Sequence, residues 1–259
     1  MEEDWQFVDS GALPGHENME YDERLAMRLL EGTACPTVRV FRWQPWAVSL
    51  GHHQNVDDID IRKCAADGID VVRRPTGGRA ILHAEELTYS VVMPIGQRSV
   101  LQVYNSISKA LLQGLQLFGV DAELQRSQPK FGEVYRHASS IPCFSSSARY
   151  EIEWRGRKLV GSAQRRYSNG CHEVVLQHGS ILLGPAHVRL SEYIAGNDLR
   201  LQENVRRDLR QRTVCLQEIL KQRIDHAPLV VCVRRGFELA WEIRFGKRET
   251  PVQRSASYG

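Results

Sequence analysis

The sequence predicts an α+β protein in which a mixed sheet is flanked by helices. Three observations lead there. A run over residues 100–118 repeats its apolar residues at helical spacing. Residues 37–50, 69–93 and 149–183 are rich in β-branched and apolar residues and are punctuated by turn signals. The two kinds of segment interleave without the strict strand–helix–strand repeat of a parallel sheet.

Taken in order, residues 18–31 read as a first helix, with Asn18 as its cap and Gly32 just past its end. Residues 37–50 read as strands broken at Gln44-Pro45. Residues 57–67 fit a short helix that starts near Asp57 and stops before Gly68. Strands follow at about 69–74, 79–83 and 87–93. The helix at 100–118 opens with a capping box of Ser99 and Gln102. Its apolar stripe is Val103, Ile107, Ala110, Leu111, Leu115 and Phe118, and Gly119 ends it. Residues 149–163 read as a hairpin turning at Arg155-Gly156, and Asn169-Gly170 as a turn before the strand EVVLQHGSILL. The tail over about 199–245 is helical.

Composition narrows the function. The chain has 259 residues and a formal net charge of +3, too small a surplus for a dedicated nucleic-acid surface. No apolar run approaches the roughly 20 residues that span a bilayer. The opening MEEDWQFVDSG is acidic where a signal peptide is basic and then apolar, which points to the cytoplasm. The six cysteines (Cys35, Cys64, Cys143, Cys171, Cys215 and Cys232) contain no C-x-x-C pair, so zinc has little support. His52 and His53 are adjacent on what reads as a strand, so they diverge and make a poor metal site. No metal is expected.

Four short stretches carry chemistry. In RRPTGGRAILH, residues 73–83, two arginines precede a Thr76-Gly77-Gly78 loop, and His83 closes the following strand. Glycines let backbone N–H groups approach a ligand, although a plain hairpin turn reads the same way. Arg73 and Arg74 point to opposite faces if the strand continues, so one of them faces a site. Cys143 follows a proline and precedes serines, a loop setting in which a thiol is partly exposed; an incidental loop cysteine is the competing reading. Lys158 opens KLVGSAQ, residues 158–164, on the return strand of the next hairpin. It can supply the cation a thiolate needs, or be an ordinary solvated lysine. In VLQHGSILL, His178-Gly179 interrupts an apolar strand, which marks a close approach or a bulge.

Together these stretches resemble the lipoate- and octanoate-handling branch of the cofactor transferase superfamily, a superfamily that includes biotin ligases, lipoate ligases and octanoyltransferases. The shared marks are SLGHHQ, RRPTGG followed by histidine, and KLVGSAQ, in that order, across roughly residues 18–190. The resemblance implies a class II biotin/lipoate ligase-like fold. Its details favour the LipM-type octanoyltransferases. Arg73 to His83 match R-R-x-T-G-G-R-A-x-L-H, Glu86 to Ser90 match E-L-T-Y-S, and Cys143 precedes a Y-E-I strand. Ala84 departs from a pattern that often has Asp there.

The resemblance implies a catalytic Cys143 and Lys158. It also implies a substrate site of Arg73, Arg74, Thr76, Gly77, Gly78, His83, Gly161, Ser162, Ala163, His178 and Gly179. No cofactor is expected. The partners it implies are octanoyl acyl carrier protein as donor, and lipoyl domains or glycine-cleavage H protein as acceptors. The domain plan expected is one catalytic domain over 1–259, with a core at about 18–190 and a helical C-terminal extension at about 198–248. An ATP-dependent lipoate ligase, an amidotransferase between lipoyl domains and a non-catalytic acyl-binding protein are the alternatives.

Overall fold

The computed structural model describes residues 4–125, 151–196 and 198–246. In chain order its elements are β1 (Gln6–Leu13), α1 (Gly15–Leu30), β2 (Thr37–Trp43), β3 (Ala47–Leu50), α2 (Ile61–Ala66), β4 (Asp70–Arg73), β5 (Ile81–His83) and β6 (Glu86–Pro94). Then come α3 (Val100–Leu117), β7 (Glu123–Leu124), β8 (Ile152–Trp154), β9 (Arg157–Ser168), β10 (Glu173–Leu182), α4 (Leu199–Arg212), α5 (Leu216–Leu220) and α6 (His226–Trp241). Seven strands form one sheet in the order β1-β2-β6-β10-β9-β8-β7, and β4-β3-β5 form a smaller one. The β1–β2 and β3–β4 pairs are parallel and the other pairs antiparallel, so both sheets are mixed.

The large sheet has two unlike faces because side chains alternate along each strand. One face carries Val38, Val40, Tyr89, Val91, Val175 and Ile181. It packs in one apolar cluster with Val103, Ile107, Leu111 and Leu115 of α3 and Leu229, Val233 and Phe237 of α6. The other face carries Arg39, Thr88, Ser90, His178 and Ser180, all buried. Helix α1 lies over this polar face. Its Asp22 meets Arg39, Ser90 and His178, while its Ala26 and Leu30 pack with Val92 and Leu176.

Several expectations are corrected. The first helix starts at Gly15, and Pro14 stands at its N-cap. Asn18 lies inside it, fully buried, donating to the carbonyls of Leu13 and Arg42. The helix expected at 57–67 is a 3₁₀ turn at Val56–Asp58 followed by α2. Asp60, not Asp57, caps α2 by accepting from Lys63 N–H. β1 was not anticipated. The capping box at Ser99 and Gln102 and the Arg155-Gly156 turn, with φ of 51° and 72°, are as read.

Candidate active site

A pocket of about 360 Å³, part of it open to solvent, lies on the polar face of the large sheet. Its lining comes from β9 (Gly161, Ser162, Ala163), β10 (His178, Gly179, Ser180), β6 (Thr88) and the end of β2 (Trp43). Ile81 and His83 of β5, Arg74 and Met19 of α1 complete it. Register explains the arrangement, since Gly161 pairs with Ser180 and Ser180 with Thr88, making a row across three strands.

Two chains of carboxylate, imidazole and hydroxyl run beside the pocket. In the first, Asp22 Oδ2 lies 3.3 Å from His178 Nδ1, and His178 Nε2 lies 2.6 Å from Thr76 Oγ1. Burial pushes the Asp22 carboxyl up, but Arg39 and His178 outweigh it and hold it below the usual range. Burial pushes His178 down against the pull of Asp22, so the ring is neutral at neutral pH. An ionised carboxylate only accepts, so Nδ1–H donates to Asp22 and Nε2 accepts from the Thr76 hydroxyl.

In the second chain, Arg74 Nη1 donates to Ser49 Oγ at 3.0 Å, which leaves the Ser49 hydroxyl hydrogen for His83 Nε2 at 2.7 Å. His83 Nδ1 then donates to Glu86 Oε1 at 2.8 Å. The same oxygen accepts from Thr88 at 2.5 Å and Ser180 at 2.8 Å. Burial opposes the Glu86 charge, but His83 and the two hydroxyls hold its carboxyl below the usual range.

The arginines divide their work as strand alternation requires. Arg74 is buried and faces the pocket. It donates to the carbonyls of Ser49 (3.0 Å), Gly77 (2.9 Å) and Arg79 (2.7 Å). Arg73 is exposed and donates to the carbonyls of Gly51 (2.8 Å), His52 (3.1 Å) and Gln54 (2.8 Å). Each arginine therefore ties down one loop, and the two loops lie back to back. His52 N–H donates to Thr76 O at 2.9 Å, and a Cβ on Gly51 would sit 2.0 Å from the Gly78 carbonyl oxygen. Gly78 has a φ of 95°, which only glycine adopts readily.

Of the expected substrate residues, Arg74, His83, Gly161, Ser162, Ala163, His178 and Gly179 line this pocket. Thr76 reaches it through His178, and Arg73, Gly77 and Gly78 build the loop outside its lining. Gly179 has a further role on the opposite face, where a Cβ would sit 2.8 Å from the Tyr89 ring. Lys158 stands on β9, three residues before Gly161, outside the lining. It is buried and ion-paired to Glu151 at 2.5 Å, so it is not a solvated strand lysine. Burial and Glu151 push the neighbouring Glu153 carboxyl up, and Lys158 draws it back. Cys143 lies outside the described residues, and so does the Tyr150 end of the expected hairpin. Their described flanks meet at this edge, where Gln125 N–H donates to Glu151 O at 2.9 Å.

Sequence reasoning missed Met19, Trp43, Ile81, Thr88 and Ser180 as lining, and Asp22 and Glu86 as the partners of the two histidines. Glu86 and Thr88 lay within the quoted ELTYS, and Ser180 directly follows His178-Gly179. Met19, Trp43 and Ile81 had no signal beyond apolarity.

Comparison with known proteins places this architecture. A family model described as the lipoyl protein ligase A/B catalytic domain matches residues 14–238. The chain is 36% identical over 242 residues to octanoyltransferase LipM of Geobacillus kaustophilus, covering 90% of this chain and 85% of the relative. It is 34% identical over 248 residues to octanoyltransferase LipM of Bacillus subtilis, covering 93% and 87%. Among solved structures, a bipartite lipoate protein ligase from Thermoplasma acidophilum superposes with a TM-score of 0.73 at 17% identity, covering 95% of this chain and 87% of that one. Lipoate-protein ligase A bound with ATP gives 0.71 at 20%, covering 96% and 89%. These two likenesses carry the fold, which is that of the lipoate-protein ligases. The family match and the LipM relatives carry the lineage: the chain belongs to the lipoyl protein ligase A/B catalytic-domain family, among the LipM octanoyltransferases.

Proposed function

We propose that the protein moves an octanoyl group from acyl carrier protein to a lysine of a lipoyl domain or glycine-cleavage H protein, through a thioester on Cys143. The observation that carries this reading is the pocket itself. Its apolar and small lining, Met19, Trp43, Ile81, Gly161, Ala163 and Gly179, suits a medium acyl chain. Buried Lys158 lies on the strand that supplies Gly161 to Ala163, three residues before Gly161.

In the first step the Cys143 thiolate attacks the thioester carbonyl. A carbon–sulfur bond to Cys143 forms, the bond to the carrier breaks, and the carrier thiolate takes up a proton. In the second, the neutral amine of the acceptor lysine attacks. A carbon–nitrogen bond forms, the bond to Cys143 breaks, and the amine gives up a proton as the thiolate leaves. Lys158 supplies positive charge for the thiolate and the developing oxyanion. Arg74, His83 and His178 hold the walls, and the apolar lining limits water beside the bound acyl chain. Neither step consumes ATP or a redox partner. Cys64, with its thiol pushed up to about 11 by burial, and Cys215 and Cys232, also raised by burial, are poor competitors as nucleophile. Free thiols at all five described cysteines suit a reducing, cytoplasmic setting.

The test is incubation with octanoyl carrier protein and apo lipoyl domain without ATP, followed by intact mass. Octanoylated domain, and loss of both product and acyl-enzyme in Cys143→Ala, is the expected result. A strict need for free acid and ATP moves the protein to the ligases. Near wild-type turnover by Cys143→Ala removes the covalent mechanism.

A further inference from the structure

We infer that the outer face of α4, through Arg200, Arg207 and Arg210, is the surface on which the acidic acyl carrier protein docks. This inference rests on the octanoyl-transfer reading above.

Helix α4 concentrates the positive charge of the chain. It holds five arginines (Arg200, Arg206, Arg207, Arg210 and Arg212) against Glu203 and Asp208, a surplus of three that equals the net charge of all 259 residues. One side of the helix is covered: Val205 and Leu209 are buried and pack with Leu190, Tyr193 and Ile194. Helical periodicity puts Arg200, Arg207 and Arg210 on the opposite side, where all three are exposed. The other two arginines are neutralised locally, Arg206 by Glu203 at 3.5 Å and Arg212 by Asp208 at 3.1 Å. Asp198 turns inward to cap the helix, accepting from the N–H groups of Arg200 and Leu201. Arg200 and Arg210 pair with no carboxylate among the described residues, and Arg207 donates to the neutral Asn204 amide oxygen at 2.7 Å. Leu199, beside Arg200, is 76% exposed and adds an apolar contact to the face. Arginine with an apolar neighbour is the composition that protein interfaces favour.

Position and reach select the occupant. Thr213 follows α4 directly and forms a parallel bridge with Lys158, and Val214 N–H donates to Lys158 O at 3.0 Å. The C-terminal end of the helix is thereby fastened to the residue that polarises the reacting carbonyl in the proposed mechanism. A helix with its side chains is about 10–12 Å thick, and that thickness separates a partner on the outer face from whatever Leu209 packs against. An extended chain covers about 3.3–3.6 Å per three bonds, so an acceptor lysine, with about five bonds, reaches only about 6 Å. The acyl group of the donor hangs instead from a phosphopantetheine arm of about 14 bonds, about 16 Å by the same geometry. An acidic carrier seated on α4 can therefore pass its thioester beyond the helix towards Lys158. A lipoyl domain on the same face cannot deliver its lysine. The unpaired arginines complement the charge of the carrier and steer its approach.

The experiment compares steady-state transfer by wild type, the triple variant Arg200→Gln/Arg207→Gln/Arg210→Gln and the triple variant Arg200→Glu/Arg207→Glu/Arg210→Glu. Each receives octanoyl carrier protein or S-octanoyl pantetheine, which has the thioester but no protein body, with apo lipoyl domain as acceptor. The KM for octanoyl carrier protein is expected to rise about 10-fold in the glutamine variant and further in the glutamate variant. The kcat, the KM for lipoyl domain and the kcat/KM for S-octanoyl pantetheine are expected to stay at wild-type values. Added salt should raise the carrier KM of wild type more than that of the glutamine variant. An unchanged carrier KM in both variants overturns the inference and leaves α4 a solvated face. A rise in the KM for lipoyl domain alone assigns the face to the acceptor and overturns it too. Loss of turnover with S-octanoyl pantetheine in both variants places these arginines in the fold or the chemistry, with the same consequence. Failure of wild type with every donor instead sinks octanoyl transfer. In that event titration of fluorescently labelled carrier protein into the three proteins still reads the face. Binding that weakens from wild type to the glutamine and then the glutamate variant upholds docking, and absent or equal binding removes it.

Discussion

Lys158 is a buried structural ion and, in the proposed mechanism, a chemical one. Its ammonium and the Glu151 carboxylate are both withdrawn from water. Removing one partner of a buried pair typically costs about 3–5 kcal/mol, because the other charge stays behind. Lys158→Ala should therefore lower the melting temperature and, separately, slow acylation of Cys143 by about 10²–10³-fold, the loss expected for one oxyanion donor. Lys158→Arg keeps the charge with a different reach and should restore stability more than rate. Alkylation rate against pH supplies a readout that stability does not move: the Cys143 thiol should titrate higher in the alanine variant. Wild-type acylation with an unchanged thiol profile would leave Lys158 a purely structural residue. At this scale the sequence was most legible where residue types are unusual for their setting. Consecutive arginines, a Gly-Gly pair and a histidine in an apolar strand drew the eye to Arg74, His83 and His178, which the pocket brings together. Trp43 and Met19 stayed hidden because an apolar residue in an apolar run looks the same in core and in pocket lining. Asn18 was misread because the residue types that cap helices also satisfy buried backbone: its amide serves Leu13 and Arg42 from inside the first turns of α1.

At the scale of elements, α3 was the most legible because every local signal agrees. Its apolar stripe, its capping box and its terminal glycine all point to one helix. β1 was not, since QFVDSGAL mixes Asp9, Ser10 and Gly11 into the run and its pairing with β2 shifts register between Asp9 and Ala12. The crossing of α3 and α6 also lay beyond sequence reasoning, although its cause is plain. A Cβ on Gly236 would sit 2.4 Å from Gly114 N and 2.5 Å from Ala110 O, and one on Gly114 would sit 2.9 Å from Val233 Cα. The two backbones touch, so glycine is kept here against a helix-propensity cost of about 0.8–1.0 kcal/mol relative to alanine. Gly236→Ala recovers that propensity but forces backbone apart, and overpacking costs about 1–3 kcal/mol or more. The net change should be destabilising. A lower midpoint in urea with octanoyl transfer per folded molecule little changed is the expected outcome, because α6 packs on the face away from the pocket. A raised midpoint would mean that the helices separate at little cost.

At the scale of the whole molecule, the large sheet divides its work between its two faces. One builds an apolar core with α3 and α6, and the other buries Arg39, Asp22, Glu86 and His178 around the pocket. Charges buried in this way link stability to pH. Asp22 and Glu86 titrate below their usual range when folded. Their contribution is therefore present above about pH 4 and is lost as pH falls through those lowered values. Buried histidines act earlier. His187 is buried with Nε2 2.8 Å from Thr213 Oγ1 and Nδ1 3.3 Å from the Gly184 carbonyl oxygen. Burial pushes the His187 pKa down to about 4. Above about pH 6.5 the ring is neutral in both folded and unfolded chains and has no linked effect. Below it the unfolded chain takes up a proton that the folded one refuses, so stability is lost until about pH 4. A fall from 6.5 to about 4 corresponds to about 3 kcal/mol. His187→Gln keeps a neutral polar side chain that can both donate and accept, and cannot take up that proton. Urea midpoints measured from pH 8 to pH 4 should fall in wild type from about pH 6.5 downward, and fall less steeply in His187→Gln, with the two curves parallel above pH 7. Parallel curves across the whole range would mean that His187 takes up its proton as readily in the folded protein as in the unfolded chain.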